Sequence, residues 1–304
     1  MNRDDICPPM TALGKCPACG EARSEEHGKR DSLLLVRCVT CGLVYSDPQP
    51  RETVRRRNLE EYDLAAWFAP MAPRKRVLFE RRLKRLPRPQ PGRDRLCDVG
   101  CADGQFLELA RPHGWRPYGI EMNPPAAQRA RDRGATIFEG MLEESDDLPW
   151  ESFDLVTCWD CLEHTPEPRL FAERLVRLMA PGGLLALTTL NRRSLAWAVF
   201  RMNWSMVGED HFTYWDRCSL TRLFQSEGLV VVDHEIFGLG RDFVKVMDGF
   251  RRKEEGAVPT DVKPGVATGG WDVHPVVLAV EDALNRVFQI VGGGVGIGLT
   301  LRRP

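Results

Sequence analysis

Short apolar runs alternate with segments of helical periodicity along most of the chain after residue 93. The runs predict buried strands, and the segments between them, where apolar residues recur every third or fourth position, predict amphipathic helices. This alternation is typical of an α/β fold with a largely parallel sheet. The predicted strands are Arg95–Val99, Arg116–Glu121, Thr136–Glu139, Phe153–Trp159, Leu184–Leu190, Leu229–Phe237 and Ile297–Arg302, and the predicted helices are Gln105–Arg111, Pro125–Arg133, Pro168–Met179, Ser219–Ser226 and Pro275–Ile290.

A glycine-rich turn follows the first predicted strand. The stretch Asp98-Val-Gly-Cys-Ala-Asp-Gly104 leads into a helix, and the next predicted strand ends at Glu121, roughly 20 residues later. Glycines let the backbone approach a ligand, and a carboxylate at the end of the second strand can accept hydrogen bonds from ribose hydroxyls. The pattern therefore predicts a nucleoside site at the carboxyl edge of the sheet.

The same turn resembles the first motif of class I S-adenosylmethionine (SAM) methyltransferases. It lacks the G-x-G-x-x-G spacing of a dinucleotide site and the Gly-Lys-Ser/Thr of a P-loop. The resemblance implies a Rossmann-like sheet of seven strands whose last strand is antiparallel, which Gly296–Arg302 would supply. One departure is Ala102, where the family usually has glycine. The departure matters because alanine resists a positive φ.

The resemblance also assigns a set of residues to SAM. These are Asp98, Gly100, Ala102, Gly104, Glu121, Met141, Leu142, Trp159 and Asp160, the last two near the sulfonium. Asp98 would hold the amino-acid part of SAM and Glu121 its ribose. Adenine would pack on Met141 or Leu142, with a backbone contact or Glu143 replacing the aspartate that relatives often use.

Three later segments extend the resemblance over most of the chain. They are Phe153–His164, Pro181–Asn191 and Glu209–Gly228. The last is similar to the segment after the fifth strand in a branch that acts on sugars, lipids and secondary metabolites and often carries N-terminal C-x-x-C-G pairs. A particular similarity is to zinc-containing sugar C-methyltransferases, although their order of Tyr, Glu and His is not clearly reproduced here.

Two histidines are candidate catalytic residues. SAM brings its own leaving group, so a methyltransferase mainly positions the nucleophile, excludes water and accepts a proton from a hydroxyl acceptor. His211 lies in the predicted substrate-facing loop, flanked by Glu209, Asp210 and Tyr214. His164 follows the fourth predicted strand, where a structural role at the start of the next helix is the alternative.

Two C-x-x-C-G pairs precede the alternating region. Cys16 and Cys19 form the first pair, and Cys38 and Cys41 form the second, roughly 18 residues further on. This spacing matches the template of a zinc site with four cysteine ligands, and four free thiols or two disulfides are the alternatives. Four protein ligands leave no open coordination position, so the predicted Zn²⁺ is structural.

The charge pattern bears on the class of acceptor. The 304-residue chain has a formal net charge of −1, so no global field selects nucleic acid or a membrane surface. Charges of both signs lie between the two cysteine pairs, which favours a structural or lid role for the ribbon over RNA binding. Residues 51–95 hold 14 Lys/Arg against 6 Asp/Glu, and this connector is either a solvated helical face or a basic strip for an anionic substrate.

Cysteine usage and hydropathy predict a cytoplasmic protein. A chain of this length does not need disulfides to fold, so the ten cysteines are expected to be thiols or metal ligands in a reducing compartment. The N-terminal residues lack an apolar leader, and charged residues interrupt the apolar tail, so no signal peptide and no membrane span are expected. Cys158 and Cys161 form a third C-x-x-C, and a core role is favoured over a metal or redox role.

Three parts are predicted: a zinc ribbon over residues 1–50, a basic helical connector over 51–92 and a SAM-dependent methyltransferase domain over 93–304. The expected acceptor is a sugar, a glycolipid or another small natural product, methylated on a hydroxyl or a carbon. An anionic or nucleotide-linked acceptor is a variant of this prediction. Loops at Arg192–Asp216 and Phe237–Gly270 are expected to shape its pocket.

Two alternative functions remain open on the sequence. One is an RNA methyltransferase that docks through the ribbon and the connector, and the other is a non-catalytic scaffold with a SAM fold. The Asn/Asp-Pro-Pro-Tyr/Phe and Pro-Cys motifs of nucleobase methyltransferases are missing from the sequence, which disfavours nucleic acid as the partner. The intact Asp98, Gly100, Gly104 and Glu121 disfavour the scaffold.

Overall fold

Two sheets organise the protein. The computed structural model describes residues 14–47, 50–57, 59, 72–238 and 275–304. The strands are β1 (Ser24–Arg30), β2 (Leu33–Cys38), β3 (Val44–Tyr45), β4 (Arg95–Val99), β5 (Arg116–Glu121), β6 (Thr136–Glu139), β7 (Phe153–Trp159), β8 (Met179–Leu190), β9 (Thr213–Tyr214), β10 (Val230–Phe237) and β11 (Gly296–Arg302). The helices are α1 (Arg51–Arg56), α2 (Ala72–Arg85), α3 (Gln105–Ala110), α4 (Pro124–Asp132), α5 (Pro168–Leu178), α6 (Leu195–Phe200), α7 (Arg217–Ser226) and α8 (Pro275–Val291).

The larger sheet has seven strands in the order β10-β11-β8-β7-β4-β5-β6. Strands β4 to β8 pair in parallel, and β11 is antiparallel to both of its neighbours. All seven predicted strands and the antiparallel C-terminal strand are confirmed. The chain runs outward from β4 in one direction and then returns to β7 on the other side, so β4 and β7 flank the switch point where α/β sheets bind ligands.

The elements form where the sequence pattern predicts them. Strand β4 is buried over Leu96–Val99, as expected for a strand covered by helices on both faces. Helix α4 begins after Asn123, whose side chain accepts a hydrogen bond from the Ala126 N–H, with Pro124 at the first helical position. Strand β8 begins at Met179, earlier than the predicted Leu184, because Met179 already pairs with Phe153 and the register then shifts, with the extra residues in β8.

The smaller sheet joins the N-terminal cysteine-rich module to the predicted domain that begins at residue 93. Its strands follow the order β1-β2-β3-β9, and all of its pairs are antiparallel. Strands β1 and β2 form a hairpin between the two cysteine pairs, whereas β9 belongs to the segment after β8. Val44 pairs with Tyr214 and Tyr45 with Thr213, so the cysteine-rich module and the predicted substrate-facing loop share one sheet.

A small apolar core holds the same two parts together. Leu35 of β2 and Val44 of β3 pack with Trp204 and Tyr214, and all four residues are fully buried. His27 of β1 stacks on Trp197, with ring centroids 5.4 Å apart. The cysteine-rich module is therefore seated on the segment between β8 and α7.

Most of the basic connector is used in internal ion pairs. Arginines of α1, α2 and the residues that follow these helices form salt bridges to carboxylates between positions 144 and 282. The pairs are Arg51–Glu167, Arg55–Glu144, Arg57–Asp210, Arg74–Glu281, Arg81–Asp282, Arg85–Asp233 and Arg93–Asp154. This pairing argues against the second interpretation from the sequence, a free basic strip for an anionic substrate.

Among the described helices, α8 is amphipathic and the longest. It carries Glu281 and Asp282 on the face that meets Arg74 and Arg81 of α2. No helix in the described part of the chain has the length and hydropathy needed to cross a membrane.

Candidate functional site

The loop after β4 can form only around glycine. Gly100 and Gly104 have φ of +72° and +78°. A Cβ on Gly100 would lie 2.4 Å from the Cys161 sulfur, and one on Gly104 would lie 2.8 Å from the Cα of Ala130. The loop is therefore a backbone surface pressed between α4 and the end of β7, with no room for side chains at these two positions.

Ala102 adopts the left-handed conformation that alanine was expected to resist. Its φ is +49°, and a left-handed non-glycine residue costs roughly 1–2 kcal/mol. The compensation is local, because the Ala102 N–H donates to Oε2 of Glu121 at 2.9 Å. The carboxylate predicted to bind ribose therefore stabilises the left-handed conformation of Ala102.

Replacing Ala102 with glycine should relieve this strain. We expect Ala102→Gly to raise the free energy of unfolding by about 0.5–1 kcal/mol, measured by urea denaturation. The matched control is Ala198→Gly in α6, an exposed helical site, which should lower the free energy of unfolding by about 0.5–1 kcal/mol. Destabilisation by both substitutions would show that residue 102 carries no backbone strain.

Glu121 closes the end of β5 onto this loop. Its carboxylate is 6% exposed, and its oxygens accept hydrogen bonds from the backbone N–H groups of Ala102 at 2.9 Å and Asn123 at 2.8 Å. Burial raises the pKa of Glu121. Each carboxylate oxygen keeps a second acceptor site, which is what a pair of ribose hydroxyls requires.

Asp98 lies beneath the loop and is also buried. The Thr157 hydroxyl donates to Oδ1 of Asp98 at 2.6 Å, which ties β4 to β7. Burial raises the pKa of Asp98 to about 7. The structure thus places Asp98 and Glu121 on the two strands that flank the glycine loop.

Lys75 is a candidate site residue that the sequence analysis did not single out. It lies on α2, and burial lowers its pKa even though the charges of Asp160 and Asp103 act in the opposite direction. Gln105 ties the start of α2 to the glycine loop by donating to the Ala72 carbonyl at 3.2 Å. No motif marks Lys75, because the helix falls in the connector. The available signal was a basic residue on the helix before the first strand.

Met141 and Leu142 lie buried after β6, next to Glu121. The Gly140 N–H donates to the Glu121 carbonyl at 3.0 Å and fixes this turn. The neighbouring Glu143 is buried, and its carboxylate accepts a hydrogen bond from the Thr165 hydroxyl at 2.6 Å. A carboxylate has about four acceptor sites, so an adenine contact at this turn could come from Glu143 or from the backbone.

Trp159 and Asp160 point in different directions at the end of β7. The Trp159 indole packs on Phe106, with ring centroids 5.1 Å apart, and under the Arg82 guanidinium at 4.6 Å, so it belongs to the core beneath α2 and α3. Asp160 is exposed and accepts a hydrogen bond from the Thr188 hydroxyl at 2.7 Å. Asp160 is therefore the member of this pair that faces the carboxyl edge of the sheet.

His164 and His211 meet at the same edge, with ring centroids 4.7 Å apart. His164 Nδ1 lies 2.7 Å from the Asp210 carbonyl, and His211 Nδ1 lies 2.6 Å from the Met206 carbonyl. A carbonyl can only accept, so each Nδ1 carries a hydrogen and each Nε2 has a free lone pair. Burial lowers the pKa of both imidazoles, and the neighbouring His164 lowers that of His211 further.

Glu163 completes this cluster from below. Its buried carboxylate accepts a hydrogen bond from the Thr189 hydroxyl at 2.8 Å, and burial together with Asp160 raises its pKa to about 7. One ligand-type atom from each of Glu163, His164 and His211 lies within 4.8 Å of the others. Such a group can transfer protons, and its donor set is also compatible with a divalent cation.

The segment that carries His211 is firmly attached to the end of β7. The Phe212 N–H donates to the Glu163 carbonyl at 2.8 Å, and the Thr213 hydroxyl donates to the Leu162 carbonyl at 3.3 Å. Arg57 forms a salt bridge with Asp210 at 2.6 Å. The structure therefore brings both sequence-predicted histidines into one site.

The four cysteines of the two C-x-x-C-G pairs converge. All four sulfurs lie within 4.8 Å of one another, with Cys16 and Cys41 at 3.6 Å and Cys19 and Cys38 at 3.6 Å. A tetrahedral site with Zn–S bonds of about 2.3 Å has sulfurs about 3.8 Å apart, so the observed spacing fits zinc. The hydrogen bond between the Cys16 and Cys41 sulfurs lowers the pKa of Cys41.

The remaining predicted features have different outcomes. Cys158 is fully buried, and a hydrogen bond to Cys161 and burial raise its pKa, as expected for a core thiol. Arg192 pairs with Asp216 across the first predicted substrate loop. The second predicted loop, Phe237–Gly270, lies outside the described residues from position 239 onward.

A comparison with protein-family models gives the class of the protein. The model of a methyltransferase domain matches residues 71–234, more than half of the chain, and the chain belongs to that family. Its seven-stranded sheet and glycine loop are those of a class I SAM-dependent methyltransferase domain with a Rossmann-like fold. The match begins inside the connector, which agrees with the packing of α2 on this domain.

The individual curated relatives match a smaller part of the chain than the family model does. The chain is 36% identical over 111 residues to a ubiquinone biosynthesis O-methyltransferase of Xanthomonas oryzae pv. oryzae, which covers 34% of this chain and 46% of the relative. The chain thus spans about half the length of the curated relatives it matches.

Two solved structures share the fold. A SAM-dependent methyltransferase of Thermotoga maritima, described as a possible histamine N-methyltransferase, superposes with a TM-score of 0.51 at 17% identity, over 83% of this chain and 99% of that one. Phosphoethanolamine N-methyltransferase 2 of Haemonchus contortus, in complex with SAM, gives 0.54 at 15% identity, over 86% and 63%. At these identities the likeness concerns the fold alone.

Proposed function

We propose that the protein transfers the methyl group of SAM to a hydroxyl of a small-molecule acceptor. The observation that carries this proposal is the pair of partly buried imidazoles, His164 and His211, whose Nε2 atoms are free to accept a proton at the carboxyl edge of the sheet. The relatives named O-methyltransferases support a hydroxyl nucleophile. A sugar, a lipid and another natural product are acceptors consistent with this site.

The residues around the glycine loop fit SAM. SAM supplies a methyl group on a sulfonium and its own leaving group. Gly100 and Gly104 provide the close backbone approach, Asp98 and Lys75 would hold the charged amino-acid end, and Glu121 would accept the ribose hydroxyls. The buried Met141 and Leu142 would form the apolar face for adenine.

The chemistry of the site is proton transfer and positioning. His211 Nε2 would take the proton of the acceptor hydroxyl, while the Met206 carbonyl holds the Nδ1–H and fixes the tautomer. The carboxylate of Glu163 would stabilise the imidazolium that forms, since opposite charges attract strongly in a buried site. His164 packs beside His211 and would orient the acceptor.

We also propose that Cys16, Cys19, Cys38 and Cys41 hold one structural Zn²⁺. Four thiolates exhaust the coordination of the metal, so its role would be to fold the ribbon. Through β3 the ribbon would then fix β9 and the segment that carries His211.

The proposed function is tested by following labelled methyl groups from SAM. Incubation with a panel of phenolic, sugar and lipid hydroxyl acceptors should label at least one class of small molecule, and total RNA should stay unlabelled. Labelling of RNA alone would contradict the proposal in favour of an RNA methyltransferase. The panel should include small molecules of the expression host that copurify with the protein. If the wild type binds SAM but labels none of these acceptors, the result supports the non-catalytic scaffold.

Replacing Glu121 tests the SAM site directly. Two charge-assisted hydrogen bonds of about 1.5–3 kcal/mol each are at stake, so Glu121→Ala should weaken SAM binding at least about tenfold in calorimetry. The matched control is Glu139→Ala, at the end of the neighbouring β6, whose carboxylate pairs with Arg131 on the surface. An unchanged SAM affinity in Glu121→Ala would remove this residue from the site.

A further inference from the structure

An open groove lies between the ribbon and the methyltransferase domain. Arg37 and Thr40 line it from the ribbon, and Arg192, Arg193, Asp216 and Arg222 line it from the domain. Its volume of about 370 Å³ falls in the range of small-molecule sites. The pairing of β3 with β9 is one of the contacts that hold the two sides of the groove together.

The groove concentrates positive charge. Its lining includes four guanidinium groups, the single carboxylate of Asp216 and Cys41, one of the four clustered cysteines. That carboxylate pairs with Arg192 and also caps α7 by accepting from the Ser219 N–H at 2.9 Å, so it neutralises no more than one arginine. Within the described residues, Arg37, Arg193 and Arg222 have no carboxylate within 4.0 Å.

This arrangement differs from that of the other arginines. Seven of the ten arginines in residues 51–92 pair with a carboxylate, whereas Arg222 of the groove donates to the Thr40 carbonyl at 3.0 Å. The Nε of Arg192 is buried and has no hydrogen-bond partner in the described part of the chain. Burial lowers the pKa of the nearby His27, and the positive charges of Arg192 and Arg37 lower it further.

We propose that this groove binds the phosphate or diphosphate group of an anionic acceptor. The guanidinium group matches phosphate oxygens with paired N–H donors, and several such groups around one groove favour a dianion over a carboxylate. This proposal rests on the proposed function, because the groove would bind one end of the same acceptor whose hydroxyl gives its proton to His211.

The groove and the histidine pair share one segment of chain. Asp216 of the groove follows His211 by five residues, so their Cα atoms are at most about 18 Å apart. The Arg192 N–H donates to the Trp215 carbonyl at 2.7 Å, which fixes the end of β8 to the same segment. An acceptor with a phosphate at one end and a hydroxyl within that reach would occupy both sites. A longer anion such as RNA would need the basic surface to continue, and most of the connector arginines already pair with carboxylates.

The groove is tested with inorganic pyrophosphate on the zinc-loaded full chain. Calorimetry at fixed ionic strength should show saturable binding to the wild type, and the double variant Arg37→Gln/Arg193→Gln should bind at least about tenfold more weakly. The matched control is Arg217→Gln, on the same helix as Arg222 but outside the groove. Its pyrophosphate affinity should stay within about twofold of the wild type.

SAM affinity is measured on the same three proteins. Unchanged SAM binding in the double variant shows that any loss of pyrophosphate binding is local. Absence of saturable pyrophosphate binding, or equal binding by the double variant, would overturn the groove proposal while leaving the SAM site intact. Failure of the wild type to bind SAM would instead overturn the proposed function.

Nucleic acid is distinguished by a labelled single-stranded RNA oligonucleotide. If RNA binds about 100-fold more tightly than pyrophosphate, and the double variant loses that binding, the occupant is RNA and the small-molecule proposal is wrong. RNA binding that is weak, or that the double variant retains, supports a small phosphorylated molecule as the occupant.

Discussion

His211→Ala is expected to lower kcat by about 10²–10⁴-fold while leaving SAM affinity nearly unchanged. The residue lies outside the glycine loop, and its free Nε2 is the proposed proton acceptor. Methyl transfer to the acceptor identified in the labelling experiment measures the rate, and calorimetry measures SAM binding. His113→Ala, a histidine in the turn after α3, is the matched control and should keep the wild-type rate.

The pH profile gives the same assignment a second test. Protonation of His211 removes the base, so the rate should fall as the pH drops through the pKa of that imidazole. Burial and His164 lower this pKa, so the acid limb of the profile should lie below the ordinary histidine value of about 6.5. In His211→Ala the acid limb should disappear or move.

Two outcomes would contradict the assignment. If His164→Ala loses activity and His211→Ala does not, the base is His164, whose tautomer is fixed in the same way by the Asp210 carbonyl. If both variants keep the wild-type rate, the protein works by positioning alone. Since two imidazoles and the Glu163 carboxylate are ligands that suit a transition metal, the assays should be run with and without added Zn²⁺ or Fe²⁺.

Loss of the ribbon metal should abolish most of the methyl transfer without weakening SAM binding. The variant Cys16→Ala/Cys38→Ala removes one sulfur from each C-x-x-C pair, and metal analysis should show about one zinc per chain in the wild type and none in the variant. Small zinc modules depend on metal binding for their folding free energy. The β3–β9 pairing should therefore loosen and release the segment that carries His211.

The expected fall in kcat is at least about tenfold, since misplacing a catalytic group by about 1 Å can cost 100-fold. Cys7→Ala, which removes a cysteine outside both C-x-x-C-G pairs, is the matched control and should keep zinc and activity. Zinc retained by the double variant would contradict the proposed ligands. Equal loss of SAM binding and activity would point to global unfolding instead of a local effect.

The sequence predicted the strands, the glycine loop and the cysteine cluster well, because each of these features is marked by a pattern of neighbouring residues. Apolar runs bounded by glycine identify the strands of a buried parallel sheet, and Gly100 and Gly104 identify the ligand loop through conformations that only glycine adopts readily. The C-x-x-C spacing predicted which four sulfurs converge. Each of these signals lies within a few residues of the feature that it marks.

Features built from distant residues were harder to predict. Strands β3 and β9 are two residues long each, too short for a periodic pattern, and their pairing depends on the tertiary fold. The connector arginines looked available because their carboxylate partners lie up to 207 residues away in sequence. Lys75 was missed for the same reason, since its place in the site depends on how α2 packs against the glycine loop.

The pairing of Tyr45 with Thr213 has a consequence for the synthesis of the protein. A ribosome makes the N-terminal module long before residues 213–214 emerge, so β3 waits with one unpaired, apolar edge. Unpaired edge strands are sites where chains associate incorrectly. A fragment cut between the two parts would keep that open edge permanently, and we expect it to aggregate at concentrations where the intact chain stays dispersed.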